Sequence, residues 1–300
     1  MIAVVALMLF VCLAVPAGLA WRLWRLDEPS RLAWLIALAE AAVLLALILL
    51  LGRWDMAGLW SRVLLLGAVV AAAFVSLMRH ARRPWLVAGQ ASIWHSHGHR
   101  LAALALSGMA LAYVTSGLAA RDRPHALAFP LDGGRFVVAQ GGGIGILNHH
   151  SGHRVQRHAV DITAVGASGF RASGLLPQDP ARYAIFGKPV ISPCDGTVAA
   201  AVDGLPDLSP PQADRNNPAG NHAVLACGGL LVELAHLRKG SVAVAVGKPI
   251  QVGDPIGQAG NSGNSTEPHL HIHAIDAVSG DGVQMSFDGA VPVRNAFWQR

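Results

Sequence analysis

The sequence predicts a chain in two parts: an N-terminal all-α transmembrane bundle of about four helices over residues 1–120, and an all-β or β-rich domain over residues 121–300. Three observations predict it. Mean hydropathy is +0.43 and only 14% of the residues are charged, which is the balance of a membrane protein. The apolar residues concentrate before about residue 120. After that point short β-type runs are broken by Gly, Pro, Asn and Asp, and no long amphipathic period appears.

Met1 to Ala20 is apolar and about as long as a bilayer crossing requires, and no basic segment precedes it as in a signal peptide. Leu32–Leu51, Trp60–Met78 and Leu101–Ala120 are the further candidate spans. Arg22, Arg25 and Arg31 follow the first span, and Arg79, Arg82, Arg83 and Arg100 follow the third, whereas the second loop holds Arg53 and Arg62 beside Asp55. Basic loops stay in the cytoplasm. Four spans then place the N-terminus and everything after Ala120 outside the cytoplasm, so the C-terminal domain is expected to be extracytoplasmic. Trp94-His95-Ser96-His97-Gly98-His99 reads as a solvated interfacial loop, and no polar residue within the spans suggests an intramembrane site. The positive charge is nearly all Arg. It fits the lipid bilayer and an anionic cell wall as partners and gives no argument for nucleic acid.

In the second part, strands are expected at Arg135–Val138, Gly196–Ala199, Ala223–Ala226 and Leu230–Leu234, with a long surface loop over Gly204–Gly220. Gly247–Pro255 reads as paired turns around a short strand. Cys194 and Cys227 lie at predicted strand edges in the exported part, where a disulfide is plausible. Cys12 sits in the first span as a small apolar residue.

The chemistry-bearing stretch is Gly260–Asp276, GNSGNSTEPHLHIHAID. In a strand, successive side chains point to opposite faces, so His269, His271 and His273 share one face while Leu270 and Ile272 enter a core. A row of imidazoles is poor core material and good zinc-ligand material.

This stretch resembles the C-terminal signature of the lysostaphin/LytM-type zinc metallopeptidases, and the resemblance covers roughly the C-terminal half. It implies a β-rich peptidase domain that uses Zn²⁺ to hydrolyse peptide cross-links of peptidoglycan. It also implies His271 and Asp161 as metal ligands, with His269 and His236 (in Ala235-His236-Leu237) as catalytic residues. Asp161 precedes an apolar run leading to Asp195-Gly196-Thr197-Val198, as in the family. The chain departs from the pattern at the first ligand. Where the family has His four residues before the Asp, position 157 is Arg. His158 is three residues before Asp161, which in a regular strand turns it to the opposite face. Asn148-His149-His150 resembles a subgroup in which an upstream loop supplies this ligand, which favours His150 over His158, His149 or His153. His273, one strand step beyond His271, is a candidate partner of His271 or substrate contact. The alternative function is a degenerate LytM-type module that binds wall or regulates another wall hydrolase. A protease acting on membrane-presented protein is a further rival.

Overall fold

The computed structural model describes residues 2–87, 93–120 and 123–300. Met1, residues 88–92 of the third predicted loop, and Arg121, the first residue of the predicted β-rich domain, lie outside the described residues. The chain divides into two compact units, Met1–Ser116 and Gly117–Arg300.

The first unit is helical: α1 (Ile2–Arg25), α2 (Arg31–Leu51), the single turn α3 (Trp54–Ala57), α4 (Leu59–His80) and α5 (Ile93–Ser116). Among the described residues three helices are long and apolar enough to cross a membrane. They run over 23, 21 and 22 residues of α1, α2 and α4, with mean hydropathies of 2.6, 2.7 and 2.1. The fourth long helix, α5, has 24 residues but opens on the histidine-rich stretch expected to be a loop. Helix formation requires only that backbone hydrogen bonds close, so polar turns extend the helix where a hydropathy argument stops it. Ser30 caps α2 by accepting the Ala33 N–H at 3.2 Å. Leu19 and Leu23 of α1, Ala41 and Leu45 of α2, and Val69 and Ala72 of α4 form a shared apolar core. One carboxylate does lie inside a predicted span. Glu40, near the middle of α2, is ion-paired with Arg22 at 2.7 Å and Arg100 at 3.5 Å. Arg100 also holds Glu28 at 2.9 Å. The carboxylate is tolerated there because guanidinium groups from α1 and α5 meet it.

The second unit is β-rich. Its strands are β1 (His125–Leu127), β2 (Arg135–Gln140), β3 (Val160–Ala164), β4 (Pro189–Ile191), β5 (Gly196–Val202), β6 (Asn221–Cys227) and β7 (Leu230–Leu237). They continue with β8 (Pro249–Ile250), β9 (Pro255–Gln258), β10 (Leu270–Asp276), β11 (Gly282–Val283), β12 (Met285–Phe287) and β13 (Phe297–Gln299). Eight strands hydrogen-bond in the order β13-β2-β3-β10-β7-β6-β5-β8, and β11 adds to β10 as the ninth. All pairings in this sheet are antiparallel. β4 pairs with β9, and β1 runs parallel to β12. The four predicted strand runs fall within β2, β5, β6 and β7, and no strand crosses the Gly204–Gly220 loop.

Alternation explains the core. Leu230, Val232 and Leu234 of β7 and Leu270 and Ile272 of β10 are buried together with Phe129, Phe136 and Ile162. Each such side chain contributes roughly 1.5–3 kcal/mol of burial free energy. Cys194 and Cys227 are disulfide-bonded with Cα atoms 6.1 Å apart and a sequence separation of 33. Closing a loop of that length stabilises by about 3–4 kcal/mol in the chain-entropy picture. Beside it, Gly196 has no alternative, since a Cβ there would lie 2.0 Å from the Ala226 carbonyl oxygen.

Candidate functional site

Three adjacent strands carry the site. Asp161 is in β3, His271 in β10 and His236 near the end of β7, and the register sets His271 directly opposite both Asp161 and Ala235. This cross-strand placement holds side chains about 5 Å apart before any side-chain rotation. His271 Nδ1 lies 2.9 Å from Asp161 Oδ1. Asp161 is only 6% exposed.

The structure brings His150 to the same carboxylate. Residues His149–Gly152 form one turn of 3₁₀-helix capped by Asn148, whose side chain accepts the His150 N–H. His150 Nε2 lies 3.1 and 3.2 Å from the two Asp161 oxygens, and its ring centroid is 4.7 Å from that of His271. Asn148 is the residue that makes this work. Fully buried, it donates to Ala159 O at 3.0 Å and Gly142 O at 3.2 Å, so it ties the loop to the backbone just before Asp161. The sequence signal for it was Asn148-His149-His150 itself, read for its histidines only.

The alternatives for this position are placed differently. His158 and Arg157 lie in a turn before β3 begins at Val160, so strand alternation does not govern them. Arg157 is exposed and donates to Gly282 O at 3.2 Å. His153 is exposed and bonds His150 O through its own backbone N–H at 2.9 Å. His149 stands nearer. Its ring centroid is 3.8 Å from that of His150, and His149, His150 and Asp161 offer ligand atoms all within 4.8 Å of one another. Two donor sets thus share His150 and Asp161. The one completed by His271 has the buried, strand-held third member, whereas His149 is exposed.

His236 and His269 flank the carboxylate, with ring centroids 4.7 Å apart. His269 Nε2 is 3.6 Å from Asp161 Oδ1. Their protons are assignable from partners. His236 Nδ1 is 2.9 Å from Ser262 O and His269 Nδ1 is 2.8 Å from Glu267 O. A carbonyl can only accept, so both Nδ1 atoms carry the hydrogen and both neutral rings keep their lone pair on Nε2. His236 adopts φ +61°, a left-handed backbone conformation rare outside glycine. The Gly260–Gly263 turn supports it. Ser262 Oγ donates to Leu237 O at 2.7 Å and accepts the Asn221 N–H at 2.9 Å, fixing the carbonyl that holds His236. Gly263, at φ +77°, would bring a Cβ within 2.4 Å of Gly220 N. Sequence reasoning used this turn as a motif and missed Ser262 and Glu267 as the groups orienting the two histidines.

Charge follows from this geometry. Burial by itself raises the Asp161 pKa, but the neighbouring His269 and the hydrogen bonds of His150 and His271 outweigh it and hold the carboxyl well below its usual range. Burial pushes the His236 imidazole well below its ordinary value, helped by His269 and His271. His273 is pushed down to about 3, first by burial and then by His271 and His150.

No curated protein matches the chain. Similar solved structures include a zinc-containing peptidase from Vibrio cholerae, 21% identical, with a TM-score of 0.34 over 53% of this chain and 39% of that one. A putative peptidase M23 from Pseudomonas aeruginosa is 18% identical, with a TM-score of 0.32 over 59% and 57% of the two chains. The catalytic domain of lysostaphin from Staphylococcus simulans is 19% identical, with a TM-score of 0.27 over 56% and 86%. The chain thus spans between about two fifths and three fifths of the first two proteins' lengths. Residues 182–285, which contain His236, His269 and His271, match the model of Peptidase family M23, and the β-rich C-terminal unit of this chain carries a Peptidase family M23 domain.

Proposed function

We propose that the chain is a membrane-anchored zinc metalloendopeptidase that hydrolyses peptide cross-links of peptidoglycan outside the cytoplasmic membrane. The observation that carries this is the meeting of His150, Asp161 and His271 at one buried carboxylate, with His236 and His269 beside it. The donor set fits the ion: two imidazoles and a carboxylate are the ligand types of a catalytic zinc site, which uses three protein ligands and leaves one position open. A buried carboxylate surrounded by imidazole nitrogens is also poor packing unless a cation is shared among them. When bound, zinc supplies Lewis-acid polarisation of the scissile carbonyl and acidifies water at neutral pH.

The chain's own residues supply the remaining steps. His236 and His269, each anchored through Nδ1–H, turn Nε2 to the reaction. One accepts the proton of the attacking water at Nε2 and returns it to the leaving amine. The other, once protonated, donates a hydrogen bond from Nε2 to the oxygen on which charge develops. Carbonyl anchoring by Ser262 and Glu267 fixes both ring orientations, so neither tautomer nor rotamer has to be found during turnover.

The test uses the full chain purified in detergent. One equivalent of zinc and release of muropeptides from purified wall are expected. Chains that bind no zinc and release nothing would instead fit the non-catalytic module. Cleavage of membrane proteins with wall left intact would favour the membrane-protein protease.

For anchoring, α1, α2 and α4 are read as spans, and α5 as the fourth, its apolar part beginning after Arg100. The Arg asymmetry between alternate loops then puts the peptidase domain outside. A reporter active only outside the cytoplasm is expected to work when fused after Ala120 and to be silent near Arg82. Activity at the second junction overturns this topology.

A further inference from the structure

The proposed chemistry leaves His273 without a role, although it is only 5% exposed and shares the strand face of His271. His271 turns its ring nitrogens to two different partners. Nδ1 faces Asp161 Oδ1 at 2.9 Å, and Nε2 faces His273 Nδ1 at 3.2 Å. Across the ladder His273 is opposite Glu233, whose Oε1 is 4.0 Å from His273 Nδ1.

A neutral imidazole has one lone pair and one N–H. Beside the bare carboxylate Nδ1 carries the hydrogen, but a His271 whose Nδ1 lone pair goes to a metal must carry its proton on Nε2, and the acceptor within reach is His273 Nδ1. Both rings are buried, so bulk water is a poor substitute for that acceptor. The Glu233 carboxylate, at the edge of the pair, favours the positive charge that the His271 ring takes on when its lone pair is donated. Metal-bound histidines are commonly held in this way by an acceptor on the far nitrogen.

We propose that His273, with Glu233 beside the same Nδ1 atom, is a positioning residue that fixes the tautomer and ring orientation of His271 for metal binding. The proposal rests on the reading of His271 as a metal ligand.

The experiment measures zinc affinity of the full chain in detergent by competition with a chromophoric chelator, together with the visible spectrum of the cobalt-loaded protein. His273→Phe fills the space without an acceptor. It is expected to weaken zinc binding about 10–100-fold and to shift the cobalt bands. His273→Gln, which keeps an acceptor, is expected to recover most of the affinity. Wild-type affinity and an unchanged spectrum in His273→Phe overturn the proposal. If His273→Phe does not fold, histidine-selective ¹⁵N spectra of the zinc-loaded wild type decide. A proton on His271 Nε2 supports the proposal, and one on Nδ1 overturns it. His271→Ala separates the two levels. If it binds zinc as tightly as wild type, the ligand reading itself fails. If it loses zinc while His273→Phe keeps it, only the positioning role fails.

Discussion

His150→Ala is expected to abolish tight zinc binding and peptidase activity, whereas His158→Ala keeps its zinc and at least part of its activity. Coordination number sets the size of the effect. Structural zinc sites with four ligands bind with roughly 10–16 kcal/mol, so one ligand is worth on the order of 3 kcal/mol, or more than about 10²-fold in affinity. A site left with Asp161 and His271 alone has too few protein donors. His150 Nε2 sits 3.1 Å from Asp161 Oδ1, while His158 lies in the turn before β3. His149 is the neighbour best placed to compensate, with its ring 3.8 Å from that of His150. His149→Ala alone is therefore expected to retain zinc, and the double variant to lose any residue of binding left in His150→Ala. Metal analysis after dialysis against a weak chelator reads each variant. Full zinc and full turnover in His150→Ala would remove this residue from the site, and zinc loss in His158→Ala would put that histidine in its place.

The second large effect separates chemistry from metal binding. His236→Ala and His269→Ala are each expected to lower turnover about 10²-fold or more, as on losing a general base or an oxyanion donor. Zinc content should stay at the wild-type level in both. The double variant should be little worse than either single one, because the two rings, 4.7 Å apart, act together on one transition state. Turnover on purified wall, normalised to bound zinc, is the measurement. Loss of zinc from either single variant would make that histidine a ligand and overturn the division of roles.

Asp161, His236, His269 and His271 were named in sequence through the resemblance to the LytM-type signature, and alternation after the Gly-Asn-Ser-Gly turn added only that His269 and His271 share one face; His236, with its left-handed backbone, lies outside that rule. His150 was legible only as one of several histidines. Its approach to Asp161 depends on a loop whose path is set by Asn148 hydrogen bonds to Gly142 and Ala159, and no periodicity encodes such bonds. Alternation misled at His158, where the strand had not yet begun. The same limit held for α5. Hydropathy marks where a helix is apolar, and the histidine-bearing turns ahead of Leu101 are helical without being apolar. Glu40 escaped for the opposite reason, since a single carboxylate in an apolar run carries no mark of the two arginines that meet it.

The backbone of His236 has a consequence for how this unit can change. Holding a non-glycine residue at φ +61° costs about 1–3 kcal/mol, a sizeable part of the 5–15 kcal/mol that typically keeps a domain folded. That strain is retained by the Ser262 carbonyl on one side and by the β6–β7 ladder on the other. Selection for stability and selection for catalysis therefore pull in opposite directions at this one position. A glycine there relaxes the chain and removes one of the two imidazoles proposed to act in catalysis, so a lineage freed from the need to cut its substrate has an easy downhill step available, and it would give up His236 before giving up the sheet that holds it.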